Sequence, residues 1–262
     1  MNTITSTTQR RVKASFKNVT PEQKAQFKNS RCLLTISVGQ ESHEGERFAA
    51  TIDLVNETFG SCIISVHDSL QRYTMALNST RNADDFRDAS IQIGENWLAS
   101  NRQQYNRLHN LERIIRWDEW LNESAFSAKK MSIDNLLAED DSYKNIFGTT
   151  IDNYLQRYCR HLNDSSVFDL AKAKQLCFEY LIEECAVLCL WPELNCDIEL
   201  YTGTHNLAMQ ETAKRFIASG GVSSLKHIPI KFNHRSNLRS QCSLLMEKII
   251  PGDFCPMLVE KW

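Results

Sequence analysis

Residues 32–66 read CLLTISVGQESHEGERFAATIDLVNETFGSCIISV, and the succession of patterns in this stretch decides the fold. Residues 32–37 (CLLTIS) are a short apolar run of strand length. A polar loop follows over 38–46, broken by Gly39 and Gly45. Residues 47–58 (RFAATIDLVNET) place apolar side chains at helical spacing, and Phe59-Gly60 closes that helix. Residues 62–66 (CIISV) give a second buried strand. A strand, a helix and a strand within about thirty residues make a crossover unit, so the two strands run parallel.

The alternation continues downstream. Residues 83–121 are expected to form one long helical region, with Phe86, Ile91, Trp97, Tyr105, Leu108, Leu111, Ile114 and Ile115 among its apolar positions. Residues 140–161 and 166–190 read as two more helices, 197–201 (DIELY) as a third strand, 206–218 as a helix and 227–232 (HIPIKF) as a fourth strand. A short helix is expected at 243–250, before Pro251 and Pro256. Strands alternating with helices predict an α/β fold with a mostly parallel central sheet and helices on both faces. The absence of a repeat or a Pro/Gly-rich linker predicts one domain over 27–262, preceded by a flexible tail or lead-in helix at 1–26.

Composition narrows the class. Net charge is −2 over 262 residues, so nucleic acid would have to be met by a local basic patch. The nine cysteines are odd in number and lack zinc-finger spacing, which predicts reduced thiols and no metal. No run reaches transmembrane length. Residues 1–20 lack Asp and Glu, slightly like a transit peptide, but read as a disordered tail. A cytoplasmic monomer without membrane or DNA partners is expected.

Candidate chemistry sits at strand ends, where sites of open α/β sheets lie. Ser37 ends the first strand ahead of the turn Ser37-Val38-Gly39, where a hydroxyl is exposed near backbone N–H groups. From position alone it also reads as a serine that merely makes a turn or a cap. The nucleophile elbow G-x-S-x-G is half met, because Thr35 stands at the first glycine. Tyr180 and Glu184, four residues apart in FEYLIEECAVLCL, share one face of an apolar helix. A carboxylate there needs a partner and can bind an ammonium group or act as a base of raised pKa. Glu183 is expected to point to solvent. Tyr201 ends the third strand on the same side as Ser37.

The strand-end serine, the Tyr-x-x-x-Glu helix and the strand-end tyrosine, in this order, resemble the tRNA-dependent cyclodipeptide synthases. The resemblance spans residues 28–232 and includes LLTISVGQ, IISV with His67-Asp68, YLIEE and ELY. It implies a Rossmann-like fold akin to the catalytic domain of class I tyrosyl- and tryptophanyl-tRNA synthetases, with aminoacyl-tRNAs as substrates and no cofactor, ATP or metal. Ser37 would be the nucleophile that takes the first aminoacyl group. Tyr180 and Glu184 would hold its amino group, and Tyr201 would position the acyl chain and assist proton transfer. A second aminoacyl-tRNA would react with that acyl-enzyme, and the dipeptidyl-enzyme would cyclise to a diketopiperazine. Leu33, Thr35, Gly39, Gln40, Ile64, Glu199 and Thr202 form the implied substrate-binding set. Gln40 and Thr202 depart from the patterns of the two family branches, which carry Asn and Pro there. Glu199 falls where many members carry an aliphatic residue; facing inward, it would favour a small, polar or basic first residue. Arg102, Arg107, Arg113 and Arg116 are expected along the long helix as a tRNA-contacting patch, although the interspersed acids also fit an ordinary solvated face.

Three other readings compete. A class I synthetase fragment needs an ATP signature; Lys130-Met131-Ser132 is a partial match, but Ile133 follows and the segment is expected between helices. A serine hydrolase would pair Ser37 with His67 or His205. A non-catalytic RNA-binding module of the same fold would not need Ser37.

Overall fold

The computed structural model describes residues 12–160, 168–218 and 225–233; the helix expected at 243–250 lies outside them. In chain order the elements are β1 (Lys13–Phe16), α1 (Pro21–Gln26), β2 (Arg31–Ser37), α2 (Gly45–Thr58), β3 (Ser61–His67), α3 (Arg72–Ala76) and α4 (Arg87–Tyr105). There follow β4 (Leu111–Arg116), α5 (Trp117–Leu121), α6 (Phe126–Glu139), α7 (Asp141–Cys159), α8 (Leu170–Leu188), β5 (Ile198–Tyr201), α9 (Leu207–Thr212) and β6 (Lys226–Asn233).

The strands form one six-stranded sheet in the order β1-β6-β5-β2-β3-β4. All neighbouring pairs are parallel except β1 with β6. Five successive residues of β2 are buried, as expected of a central strand covered on both faces. Alternation sends Leu33 and Ile63 to one layer, against α5 to α9, and Leu34, Ile36 and Ile64 to the other, against α2 and α4. In α2, Phe48, Ile52 and Val55 supply the inward stripe. The sheet is thus mostly parallel with helices on both faces. None of the described helices is long and apolar enough to cross a membrane.

The structure departs from the sequence reading in four places. Residues 111–116 are strand β4, not the continuation of α4. Leu111, Ile114 and Ile115 keep helical spacing, but adjacent β-branched residues favour a strand once β3 is there to pair with. Arg113 and Arg116 therefore sit on a strand. Secondly, Lys130-Met131-Ser132 lies inside α6 rather than between helices. Thirdly, the segment before residue 27 contributes, besides a helix at Pro21–Gln26 that fits the lead-in alternative and begins at a Thr20 capping box, the strand β1, whose antiparallel pairing with β6 is non-local.

The fourth difference is Glu183, which is buried rather than solvated. Its carboxylate is ion-paired with Arg72 and accepts hydrogen bonds from Trp117 Nε1 at 2.7 Å and Tyr73 Oη at 3.1 Å. A second network ties Arg116 to Asp68 (Nε to Oδ2, 2.6 Å) and to Glu95. Gly94 lets α4 approach it, for a Cβ there would lie 2.2 Å from Asp68 Oδ2.

Candidate active site

Parallel pairing brings the carboxyl ends of β2, β3 and β5 to one edge of the sheet. Ser37 ends β2 with His67 as its Cα partner on β3, and Tyr201 ends β5. The Ser37 and Tyr201 hydroxyls are 3.1 Å apart. Burial pushes the Tyr201 pKa up to about 12, so the phenol keeps its proton at neutral pH. Gln40 also hydrogen-bonds Tyr201. The chain leaves β2 through Gly39, whose φ of 84° is a conformation that glycine adopts without strain.

The backbone of Ser37 is anchored by His43. His43 Nδ1 lies 2.9 Å from Ser37 N and 3.0 Å from the Ser37 carbonyl oxygen, and Nε2 lies 3.0 Å from Thr202 Oγ1. Burial lowers the His43 pKa to about 4, so the ring stays neutral. His43 thus contacts the Ser37 backbone and not its hydroxyl. Neither His67 nor His205 hydrogen-bonds the Ser37 hydroxyl among the described residues.

Glu184 faces the same space from α8. Its Oε1 accepts from Tyr180 Oη at 3.2 Å and its Oε2 from Asn206 Nδ2 at 3.1 Å. Asn206 is itself fixed as the N-cap of α9. Burial raises the Glu184 pKa to about 7, against the smaller opposing pull of these two neutral donors. The same burial holds the Tyr180 phenol well above its ordinary value.

One rung below Ser37 and Tyr201 lie Thr35 and Glu199, on the same face of the same strands. Thr35 Oγ1 donates to Glu199 Oε1 at 2.7 Å. Glu199 Oε2 accepts from His227 Nδ1 on β6 and lies 3.1 Å from His205 Nε2. Burial alone would push this carboxyl up, but the two imidazoles outweigh it and hold Glu199 well below the usual carboxylate range.

Apart from Gly39, His43, Thr202 and His227, these residues line one cavity of about 180 Å³. Its lining is polar at Ser37, Glu184, Glu199 and Tyr201, and apolar at Leu77, Ile151, Leu176 and Leu181. Of the residues singled out from sequence, Ser37, Tyr180, Glu184, Tyr201, Thr35, Gln40, Glu199, His67 and His205 meet in this cavity.

The others do not line it. Leu33 belongs to the core on the cavity's side of the sheet, while Ile64 is in the opposite core, since its register partner is Leu34 and not Thr35. Gly39 and Thr202 serve the turn and His43. Arg102 is exposed on α4, Arg107 pairs with Asp53 beyond the helix, Arg113 is exposed on β4, and Arg116 is held by Asp68 and Glu95. Sequence reasoning missed His43, Trp191, Asn206 and His227. An alternation reading of β6 places His227 on one face, but only the β5–β6 register brings it beside Glu199.

The comparisons with known proteins bear on this geometry. No protein-family model matches the chain, and no curated protein matches it in sequence. Among solved structures, a cyclodipeptide synthase from Fluoribacter dumoffii is 34% identical, with a TM-score of 0.80, over 85% of this chain and 99% of that one. The chain belongs to the cyclodipeptide synthases. It is accordingly an aminoacyltransferase, and the family is related to class I tRNA synthetases. The cyclodipeptide synthase of Candidatus Glomeribacter gigasporarum, solved bound to Phe-tRNAPhe, shares the fold at 18% identity and a TM-score of 0.68, over 86% of this chain and 94% of that one. A Mycobacterium tuberculosis protein, described as relating cyclodipeptide synthetases to type I tRNA synthetases, does so at 14% identity and a TM-score of 0.60, over 87% and 96%.

Proposed function

We propose that this cyclodipeptide synthase draws both residues from aminoacyl-tRNAs and works by a ping-pong route through Ser37. The observation that carries the reading is the Ser37 hydroxyl at 3.1 Å from a neutral Tyr201 phenol, in one cavity with a buried Glu184. Ser37 Oγ attacks the ester carbonyl of the first aminoacyl-tRNA. The acyl–ribose bond breaks, and the serine proton passes through Tyr201 to the departing ribose oxygen. Glu184 and Tyr180 hold the amino group of the bound residue.

Glu184, ionised about half of the time near pH 7, then accepts a proton from that ammonium group. The freed amine attacks the ester carbonyl of the second aminoacyl-tRNA, and a second tRNA leaves. The amine of the dipeptidyl-enzyme attacks the Ser37 ester, closing the six-membered ring and returning the proton to Ser37. Each acyl group arrives activated as an ester, so the route consumes no ATP.

The tRNA-bound relative supports aminoacyl-tRNA as the donor. Of the four candidate arginines, Arg102 and Arg113 are exposed and available to phosphates, whereas Arg107 and Arg116 are engaged in ion pairs. A hydrolase reading is disfavoured because the imidazole nearest the Ser37 backbone, His43, contacts that backbone and not the hydroxyl.

The test is mass spectrometry on bacteria expressing the protein, against Ser37→Ala. A diketopiperazine, and an aminoacyl adduct on the intact protein, are expected only with Ser37 in place. Product formation at the normal rate by the Ser37→Ala protein would refute the route.

A further inference from the structure

The floor of the cavity beneath Ser37 is built for hydrogen bonding. Glu199 is 1% exposed there, and its carboxylate is already engaged by Thr35 and His227. Beside it, leaving aside Thr74 Oγ1 and the His205 Nε2 that lies 3.1 Å from Glu199 Oε2, two polar atoms of cavity-lining side chains have no hydrogen-bond partner among the described residues. They are Nε2 of His67, a residue 5% exposed, and Nε1 of Trp191, a residue 1% exposed. The two rings lie 6.1 Å apart.

The chemistry of these groups limits what can fill the space. Trp191 offers only a donor, so it requires an acceptor. The His67 nitrogen is a donor or an acceptor according to its tautomer, and burial lowers its pKa to about 3, which keeps the ring uncharged. An aliphatic side chain would leave both groups buried and unpaired. A carboxylate side chain would meet the charge of Glu199. A cationic one offers only donors and would leave the Trp191 N–H without an acceptor.

We infer that the first aminoacyl group carries an uncharged hydrogen-bonding side chain, a carboxamide or a hydroxyl, selected by Trp191 and His67 over the Glu199 floor. This rests on the reading that Ser37 carries the first acyl group. Sites that hydrogen-bond a substrate group reject analogues lacking it far more strongly than apolar pockets reject a missing methylene. Discrimination against aliphatic residues of roughly 100-fold or more is expected.

The experiment has two arms. In the first, the protein is incubated with each aminoacyl-tRNA singly, and the Ser37 adduct is read by intact mass. Adducts are expected from Asn-, Gln-, Ser- or Thr-tRNA. Trp191→Phe, which keeps the ring and removes the N–H, is expected to narrow the preference over Leu-tRNA by about tenfold or more. In the second arm, the same aminoacyl-tRNAs are ranked for binding to the Ser37→Ala protein, a readout that needs no acyl transfer.

A preferred aliphatic, aromatic or charged first residue overturns the inference while leaving the Ser37 route standing. So does an unchanged preference in Trp191→Phe. Absence of every adduct refutes the Ser37 route, and the binding series then decides the inference alone. Glu199, His205 and His227 also have ligand atoms within 4.8 Å of one another. One equivalent of zinc retained by the purified protein would mean that a metal completes this floor, and would overturn the proposal too.

Discussion

Replacing Glu184 by Gln isolates the proton-carrying carboxylate from the shape of its site. Glutamine is nearly isosteric; its oxygen can accept from Asn206 Nδ2, and the Tyr180 hydroxyl can turn to accept from the new NH₂ group. With a wild-type pKa of about 7, the fraction of ionised Glu184 falls about tenfold for each pH unit below neutrality. The rate of acyl-enzyme formation at limiting aminoacyl-tRNA should fall in step. Losing a charged hydrogen bond to the substrate ammonium costs about 1.5–3 kcal/mol, or roughly 10- to 150-fold in kcat/KM above neutrality. The variant should therefore be slow at about pH 7.5 and nearly flat below it, because its amide does not titrate. Rapid-quench acylation with radiolabelled aminoacyl-tRNA between about pH 5.5 and pH 7.5 reads both features. The same shift has a stability consequence whose sign is fixed. A carboxyl whose pKa rises from 4.5 to about 7 on folding stabilises the fold below pH 4.5, and about 3 kcal/mol of that is lost as pH rises through 7. Relative to wild type, Glu184→Gln should gain stability in denaturant melts at pH 8 but not at pH 4.5. A flat wild-type acylation profile, or an acid limb that survives in Glu184→Gln, would refute the assignment of Glu184 as the titrating group.

Further outcomes follow from named residues. Glu183→Ala leaves Arg72 buried without its partner and should cost about 3–5 kcal/mol in urea melts, with Arg72→Met/Glu183→Leu recovering most of it. Gly94→Ala drives a methyl to within 2.2 Å of Asp68 Oδ2, and should lower the melting temperature despite the better helix propensity of alanine. Arg102→Gln with Arg113→Gln should reduce the slope of log affinity for aminoacyl-tRNA against log salt by roughly 0.7 to 0.9 for each phosphate that is no longer neutralised. Arg116→Gln should instead appear as lower stability, since that guanidinium is bound to Asp68 and Glu95.

Local periodicity sufficed for the β2–α2–β3 crossover, and therefore for the placement of Ser37 at a strand end. It sufficed as well for the shared face of Tyr180 and Glu184, because a spacing of four fixes neighbours on a helix without reference to the rest of the chain. It failed where an element exists only through a distant partner. β4 looks helical until β3 is there to pair with it, and β1 has no cause to be a strand without β6. Ile64 falls in the opposite core for a related reason: strand parity relative to β2 depends on a register that residues 62–66 do not encode. His43 and Asn206 sit in polar loop sequence that resembles any other. They become functional only by reaching Ser37 and Glu184.

The two carboxylates of the cavity show how environment divides their work. Glu184 and Glu199 are both almost entirely buried, and burial pushes both towards the neutral form. Glu184 has only neutral donors, Tyr180 and Asn206, which offset part of that cost and leave its pKa near neutrality. Glu199 has two imidazoles and a hydroxyl, which more than offset it. Pairs of titratable groups driven apart in this way mark separate roles. In the proposed route, proton traffic at the substrate amine belongs to the carboxyl poised near pH 7. The carboxylate held ionised is a fixed charge, suited to orienting imidazoles and to refusing an acidic side chain. Exchanging the roles would require moving the histidines from β6 and the β5–α9 loop to α8, so the division is a property of the sheet register as much as of the two glutamates.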